Sequence, residues 1–127
     1  MARVLIFLAT SGYDGCTYTW LEISHGSGIP RSWLDSVQTG RVTDPPLSRT
    51  LALADFFHVS LDALARVIAD ESLSLPDYLI STISPDAAQA RFRALRRDMW
   101  EQSESNEERE RRDKIAARRA AFGMSDT

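Results

Sequence analysis

The chain is poor in cysteine, in long hydrophobic runs and in excess positive charge. Its 127 residues include one cysteine, Cys16, which excludes an internal disulfide framework and a zinc site built from several cysteines. No apolar run approaches the ~20 residues that a membrane-spanning helix needs. With 15 Lys and Arg against 18 Asp and Glu, the formal net charge is −3. This balance argues against a protein that coats nucleic acid and leaves room only for a local basic face.

Length and composition predict one small domain with an appendage, because so short a chain does not bury enough surface for two independent cores. Residues 1–70 are rich in large apolar side chains, whereas residues 101–119 are almost wholly polar. The first ten residues, MARVLIFLAT, contain six consecutive apolar residues, fewer than the ~7–15 of a secretory signal. We therefore interpret this run as a first core element, and with a single thiol we expect a cytoplasmic protein.

Start and stop signals for short helices recur between residues 17 and 40. Thr17 or Thr19 suits the N-cap of a first helix, because a hydroxyl accepts a bond from a free backbone N–H. The glycines in residues 26–28 should break that helix. Pro30 fits the first turn of the next helix, and Gly40 fits its C-terminal cap.

The apolar pattern predicts that these helices share one core. A helix from Leu47 carries Leu47, Leu51, Ala54 and Phe57 at helical spacing, and a further helix is capped by Ser60. The residues expected in the core are Trp33, Leu34, Val37, Leu51, Leu53 and Phe57, together with Leu61, Leu64, Val67 and Ile68 of the helix after Ser60.

The second half of the chain predicts a long helix with a narrow apolar seam. Ser84, Pro85 and Asp86 form a strong helix start. The seam then consists of Ala88, Phe92, Leu95 and Met99. So narrow an apolar stripe remains exposed to solvent unless another surface covers it. We therefore predict a homodimer through Phe92, Leu95 and Met99. Residues 71–103 would form this helical dimerisation region. Residues 104–127 would form a charged tail, helical or disordered, open to a protein partner.

A short helix, a glycine-containing turn and a second short helix match the helix-turn-helix pattern. The segment GIPRSWLDSVQTG, residues 28–40, resembles the recognition helix of lambda-repressor-like (XRE, Cro/C1-type) regulators. Pro45 and the segments 51–57 and 59–64 look like the fourth and fifth helices of that family. The similarity covers residues 17–68 and is strongest to actinobacterial members.

The resemblance implies a five-helix DNA-binding domain over residues 1–70 and a transcriptional regulator that binds promoter operators on double-stranded DNA as a homodimer, in the cytoplasm with the nucleoid. It implies base contacts by Arg31, Ser32, Asp35 and Ser36. It implies phosphate contacts by Thr17, Thr19, Arg41, Thr43 and Arg49.

This chain departs from the family pattern at three places. Tyr18 or Trp20 stands where members carry a polar residue inside the second helix. Pro30 occupies the usual cap position of the recognition helix. Asp35 would repel phosphate unless it accepts a hydrogen bond from a cytosine amine.

A rival interpretation is a helix-turn-helix used for protein contact, as in an antitoxin or an accessory protein of RNA polymerase or a sigma factor. The acidic composition and the Glu/Arg-rich tail favour it, as does a net charge of only +1 over residues 28–50. Enzymatic chemistry has less support. His25 and His58 lack further ligands at metal-binding spacing, and Cys16 has no catalytic signature around it. We expect no enzymatic activity, no metal and no cofactor.

Overall fold

The computed structural model describes residues 1–121, with side chains described through residue 118. These residues form seven helices and no strand, which confirms the predicted all-α class. The helices are α1 (Ala2–Thr10), α2 (Trp20–Ser27), α3 (Arg31–Gln38), α4 (Leu47–Phe57), α5 (Leu61–Ala69), α6 (Leu75–Tyr78) and α7 (Pro85–Ala121). The tail predicted over residues 104–127 is helical as far as Ala121, and its last six positions lie outside the described residues.

The chain divides into two compact units, Met1–Leu95 and a second unit that begins at Arg96. The first unit contains the hydrophobic core. Within it α3 packs against both α1 and α2, α4 packs against α2 and α5, and α6 packs against α5. Five helices lie within residues 1–70, the number that the sequence predicts.

The N-terminal apolar run forms a core helix, as predicted. Its inward positions, Val4, Leu5, Leu8 and Ala9, are buried. The first turn of α1 is tied to a distant part of the chain, because the Arg3 guanidinium donates to the carbonyl oxygens of Leu73 and Asp70 at 3.3 Å. This contact joins residues about 70 positions apart and fixes α1 beside the segment that follows α5.

Helix α2 begins where the sequence predicts and ends later. Thr19 caps it: its hydroxyl accepts from the Glu22 N–H at 3.2 Å, and the Glu22 carboxylate accepts from the Thr19 N–H at 2.9 Å. The predicted break within residues 26–28 falls at its last residue, because the helix continues through Gly26 and Ser27 and ends at Gly28, whose φ is 75°. The Phe56 ring lies against Gly26 and occupies the space that a side chain there would need. A Cβ at Gly26 would lie 2.3 Å from Phe56 Cε2.

Helix α3 also follows its local signals. Pro30 is its N-cap. At the other end Gly40 adopts a left-handed φ of 81°. The Arg41 N–H donates to the Ser36 carbonyl at 2.9 Å, and the Gly40 N–H donates to the Val37 carbonyl at 3.0 Å. This pair of bonds is the Schellman motif, which satisfies the last carbonyls of a helix.

The buried face of α4 differs from the predicted one. Leu47 is 72% exposed and Leu51 is 45% exposed, so the expectation that both lie inside is wrong. The buried positions are Thr50, Leu53, Ala54 and Phe57. The core face is therefore rotated toward Thr50, and a threonine tolerates that position because its hydroxyl donates to the Pro46 carbonyl at 3.3 Å.

Residues 58–95 extend the core from α5 to the first turns of α7. Ser60 accepts from the Ala63 N–H at 3.3 Å, which confirms the predicted cap of α5. Leu64 and Val67 are buried, while Leu61 and Ile68 are partly buried against the core. Ser84 likewise accepts from the Ala87 N–H at 3.2 Å at the start of α7.

Candidate nucleic-acid interface

Helices α2 and α3 are joined by the three-residue turn 28–30. Two hydrogen bonds hold them together, one at the turn and one at the opposite ends of the two helices. Inside the turn, Ile29 is buried and its carbonyl accepts from the Ser24 hydroxyl at 2.6 Å. Farther away, Trp20 Nε1 donates to Gln38 Oε1 at 3.0 Å, which links the start of α2 to the end of α3. These contacts fix the position of α3 on α2. Residue Trp20, which departs from the family pattern, thus helps to hold α3.

The two faces of α3 have opposite character. Leu34 and Val37 are fully buried. Arg31, Ser32 and Asp35 are exposed, and Asp35 lies on the same side of the helix as Arg31 and Ser32, four and three residues before it. In the part of the chain that the structure describes, no ion pair joins Arg31 to Asp35, so the guanidinium is available to a ligand.

Ser36 differs from the other three predicted base-contact residues. It is partly buried, and its hydroxyl donates to the Ser32 carbonyl at 3.0 Å. A serine hydroxyl has a single proton, so in this arrangement Ser36 is left only as an acceptor. The exposed cluster of α3 therefore consists of Arg31, Ser32 and Asp35.

The predicted phosphate-contact residues lie on different elements. The Arg49 guanidinium carbon of α4 stands 5.6 Å from the ring centroid of Trp33 on α3, within cation–π range. Trp33 is partly buried rather than part of the sealed core. Since the ring restricts the guanidinium, Arg49 is a positive group held beside α3.

The remaining predicted phosphate contacts are exposed: Thr17, Thr19, Arg41 and Thr43. The Thr19 oxygen accepts the capping bond of α2, so its own proton is still available to donate to a phosphate. Arg41 directly follows the cap of α3. Thr43 lines a surface groove together with Leu47 of α4 and Ile68 of α5.

The apolar seam of α7 is partly covered by the protein's own first unit. The Phe92 ring stands 5.4 Å from the Tyr18 ring in an edge-to-face contact, and Leu95 lines the same small pocket as Gly26 and Phe56. Both seam residues are therefore only partly exposed. Met99 belongs to the second unit. Phe92 and Leu95 are thus partly covered within the first unit, and the homodimer through Phe92, Leu95 and Met99 stays a prediction.

Tyr18, Asp14 and Cys16 form a buried polar cluster beneath α7. Asp14 accepts from the Cys16 N–H at 2.9 Å and from the Tyr18 hydroxyl at 3.0 Å. Burial, and then the Asp14 carboxylate, raise the pKa of the Cys16 thiol. The same two influences raise the pKa of Tyr18. A thiol held in its neutral form is a poor nucleophile, so this cluster has a structural character.

His58 caps α4 in the left-handed region with φ 53° and ψ 48°. Its Nε2 atom is buried and has no hydrogen-bond partner among the described residues. Burial, and then the nearby Arg91 guanidinium, lower the pKa of His58. The backbone at His58 is also hydrogen-bonded to Thr82, in the segment before α7. The His58 carbonyl accepts from the Thr82 N–H at 2.7 Å and from the Thr82 hydroxyl at 3.0 Å.

Sequence reasoning found the exposed polar residues of α3 but missed the hydrogen bond by which Trp20 and Gln38 hold α3 on α2. No sequence signal joins these two residues, since they lie 18 positions apart on different helices. Among the described residues, no three His, Cys, Asp or Glu side chains come together as a metal site. No helix in that part of the chain is long and apolar enough to cross a membrane.

Comparisons with protein-family models, curated proteins and solved structures find no match to this chain.

Proposed function

We propose that this protein is a sequence-specific DNA-binding transcriptional regulator that inserts α3 into the major groove. The observation that carries the proposal is the two-faced character of α3. Its apolar side is sealed in the core, and Arg31, Ser32 and Asp35 stand exposed on the other side. In helix-turn-helix proteins the N-terminal residues of the second helix contact base edges. The resemblance to lambda-repressor-like regulators supports the same mode of binding.

The chemistry of the exposed cluster suits base edges better than phosphate alone. The Arg31 guanidinium matches the two acceptors of guanine in a bidentate pair. Asp35 lies one turn farther along and accepts from a cytosine amine. Ser32 pairs with several base edges, and Ser36 contributes an acceptor. A carboxylate beside the arginine would penalise non-specific phosphate binding, which favours selectivity over affinity.

Arg41, Arg49 and the three exposed threonines hold the sugar–phosphate backbone. The net charge of +1 over residues 28–50 supplies little electrostatic affinity. One half-site would therefore bind weakly. A homodimer on a two-fold operator in promoter DNA, near the bacterial nucleoid, would double the contacts and define the half-site spacing.

A second candidate function is contact with another protein. The exposed Leu47 and Leu51 of α4 favour it, because they stand one turn apart and form an apolar patch on a helix end. An antitoxin or an accessory protein of RNA polymerase or a sigma factor would use such a patch. In that case α3 serves as a scaffold only.

Arginine substitutions separate these functions. An operator is first selected from random duplexes with the full chain, and binding is then measured by fluorescence anisotropy against that operator and a scrambled duplex. Arg31→Ala should reduce the preference for the operator over the scrambled duplex by the free energy of one bidentate contact, about 1–3 kcal/mol. Arg41→Ala should weaken both duplexes alike and lower the salt slope by roughly one unit. Arg66→Ala is the matched control, because it removes the same charge from α5, where Arg66 is paired with Asp62 at 3.1 Å.

Equal loss on both duplexes for Arg31→Ala would reduce Arg31 to a phosphate contact. An unchanged affinity for Arg31→Ala and Arg41→Ala would overturn the DNA-binding proposal and favour protein contact.

A further inference from the structure

The second unit carries two large apolar side chains that the described chain leaves in solvent. Trp100 is 67% exposed and Ile115 is 55% exposed, both on α7. Every side chain from Trp100 through Arg118 is exposed. The burial of a tryptophan and an isoleucine is favourable, so this surface gains from a partner.

Trp100 and Ile115 share one face of the helix. At about 100° per residue, positions 15 apart project about 60° from each other. Glu104 and Arg111 project between these two directions. The exposed face therefore carries a tryptophan, an acid, a base and an isoleucine in order along the axis.

This order has an internal symmetry. Trp100 and Ile115 are equally far from the midpoint between Glu107 and Glu108, and so are Glu104 and Arg111. If a second copy of the helix runs in the opposite direction about this midpoint, Trp100 meets Ile115 and Glu104 meets Arg111, whereas Glu107 and Glu108 at the two edges of the face meet like charges.

We propose that two copies of the chain associate through this face of α7 as an antiparallel helix pair. Trp100 packs on the partner's Ile115, and Glu104 faces the partner's Arg111. The two-fold axis repeats both contacts, so the pair contains four complementary contacts. The occupant of the face is a second copy because the apolar residues and the two central charges of the face complement each other about this midpoint.

The overall charge of the segment supports the antiparallel direction. Residues 98–108 contain five acidic residues and no basic one, whereas residues 109–118 contain five basic and two acidic residues. The antiparallel arrangement lays the acidic half of each helix along the basic half of the other. A parallel pair in register would instead place Glu104 on the partner's Glu104 and Arg111 on the partner's Arg111, which is repulsive.

The contact is short, so the association is weak. At ~1.5 Å per residue, the span from Trp100 to Ile115 is about 22 Å, which places the buried area at the low end of protein interfaces. We expect a dissociation constant on the order of 10–100 μM that rises with salt, because half of the contacts are exposed ion pairs. Neither α3 nor DNA takes part in this pairing, so the base preference tested with Arg31→Ala can hold or fail independently of it.

Charge reversal tests the pairing. Sedimentation equilibrium of the full chain without DNA should show Glu104→Arg and Arg111→Glu each weakening dimerisation about tenfold, since each replaces two attractions by two repulsions. The double variant Glu104→Arg/Arg111→Glu should restore it. Arg109→Glu is the matched control, because it makes the same charge change about 150° away from the centre of this face and should leave dimerisation within about twofold. Circular dichroism confirms that helix content is equal.

A mixing experiment tests the direction in a Cys16→Ala background. Chains with Glu104→Cys and chains with Arg111→Cys are joined by a short bis-maleimide. An antiparallel pair gives crosslinked dimers only when the two variants are mixed, whereas a parallel pair gives them from each variant alone. Three results would each overturn the proposal. The first is crosslinked dimers from either variant alone, and the second is a double variant that dimerises as weakly as the two single variants. The third is a wild-type chain that stays monomeric at about 1 mM, well above the expected dissociation constant.

Discussion

Alanine at Gly26 should destabilise the protein, although helix propensity alone predicts the reverse. Gly26 lies inside α2, where alanine is favoured over glycine by about 1 kcal/mol. A Cβ there would stand 2.3 Å from Phe56 Cε2, 2.9 Å from Phe56 Cδ2 and 3.2 Å from Leu95 Cδ1. Carbon atoms pack at ~3.5–4.0 Å, so the Phe56 ring must move by more than about 1 Å.

The Phe56 ring has little freedom to move. It is held edge-to-face by Tyr18, with centroids 5.3 Å apart, and by Phe57, with centroids 4.9 Å apart. Overpacking of this kind costs about 1–3 kcal/mol. Set against the propensity gain of about 1 kcal/mol, we expect a net loss of about 0–2 kcal/mol, and a loss of about 1 kcal/mol would lower Tm by roughly 4–8 °C in a unit of this size.

The assay is urea denaturation followed by circular dichroism, with Gly26→Ala measured in two backgrounds. In the wild-type background the midpoint should fall. In a Phe56→Leu background the shorter side chain leaves room for the methyl group, so the same substitution should be neutral or stabilising by up to about 1 kcal/mol. A midpoint that rises in the wild-type background would refute the reasoning, because it would mean that the ring yields freely.

Two further substitutions test the packing around the candidate interface and below α7. Trp33→Ala should lower the free energy of unfolding by about 2–3 kcal/mol, less than the ~3–5 for a fully buried aromatic, and Trp33→Phe should lose less; an unchanged urea midpoint for Trp33→Ala would show that the ring is not packed. His58→Asn should reduce the loss of stability between pH 7 and pH 5. Burial holds the folded pKa below its ordinary value, so the unfolded chain takes up the proton first and stability falls as the pH falls through that range. Asparagine tolerates the left-handed backbone, and identical pH profiles from thermal melts of the two proteins would contradict this assignment.

The sequence predicted those features that depend on a few neighbouring residues. Ser60 and Ser84 are predicted as caps, and Thr19 as one of two possible caps of α2, because a hydroxyl at a helix start acts within three residues. The outward direction of Arg31, Ser32 and Asp35 followed in the same way from the apolar residues on the other face of α3.

The features that the sequence could not predict depend on which helix packs where. Leu47 and Leu51 satisfy the helical period, yet the neighbours of α4 cover the Thr50 side. Gly26 reads locally as a helix breaker, and only the Phe56 ring from a distant helix gives the glycine its role. Phe92 and Leu95 read as an open seam for the same reason, because Tyr18 covers Phe92 and Phe56 lies beside Leu95, both from other parts of the chain.

The tie between Arg3 and the carbonyls of residues 70 and 73 has a consequence for the order of folding. During synthesis α1 leaves the ribosome before the segment that holds its first turn, which follows about 70 residues later. Until then the apolar side chains of α1 have no complete core to enter, and such transiently exposed surface is where newly made chains aggregate. The closure of so large a loop also belongs to the slow contacts of a helical domain. Helix α1 thus precedes the helices that it packs against and is among the last of them to gain its full set of contacts.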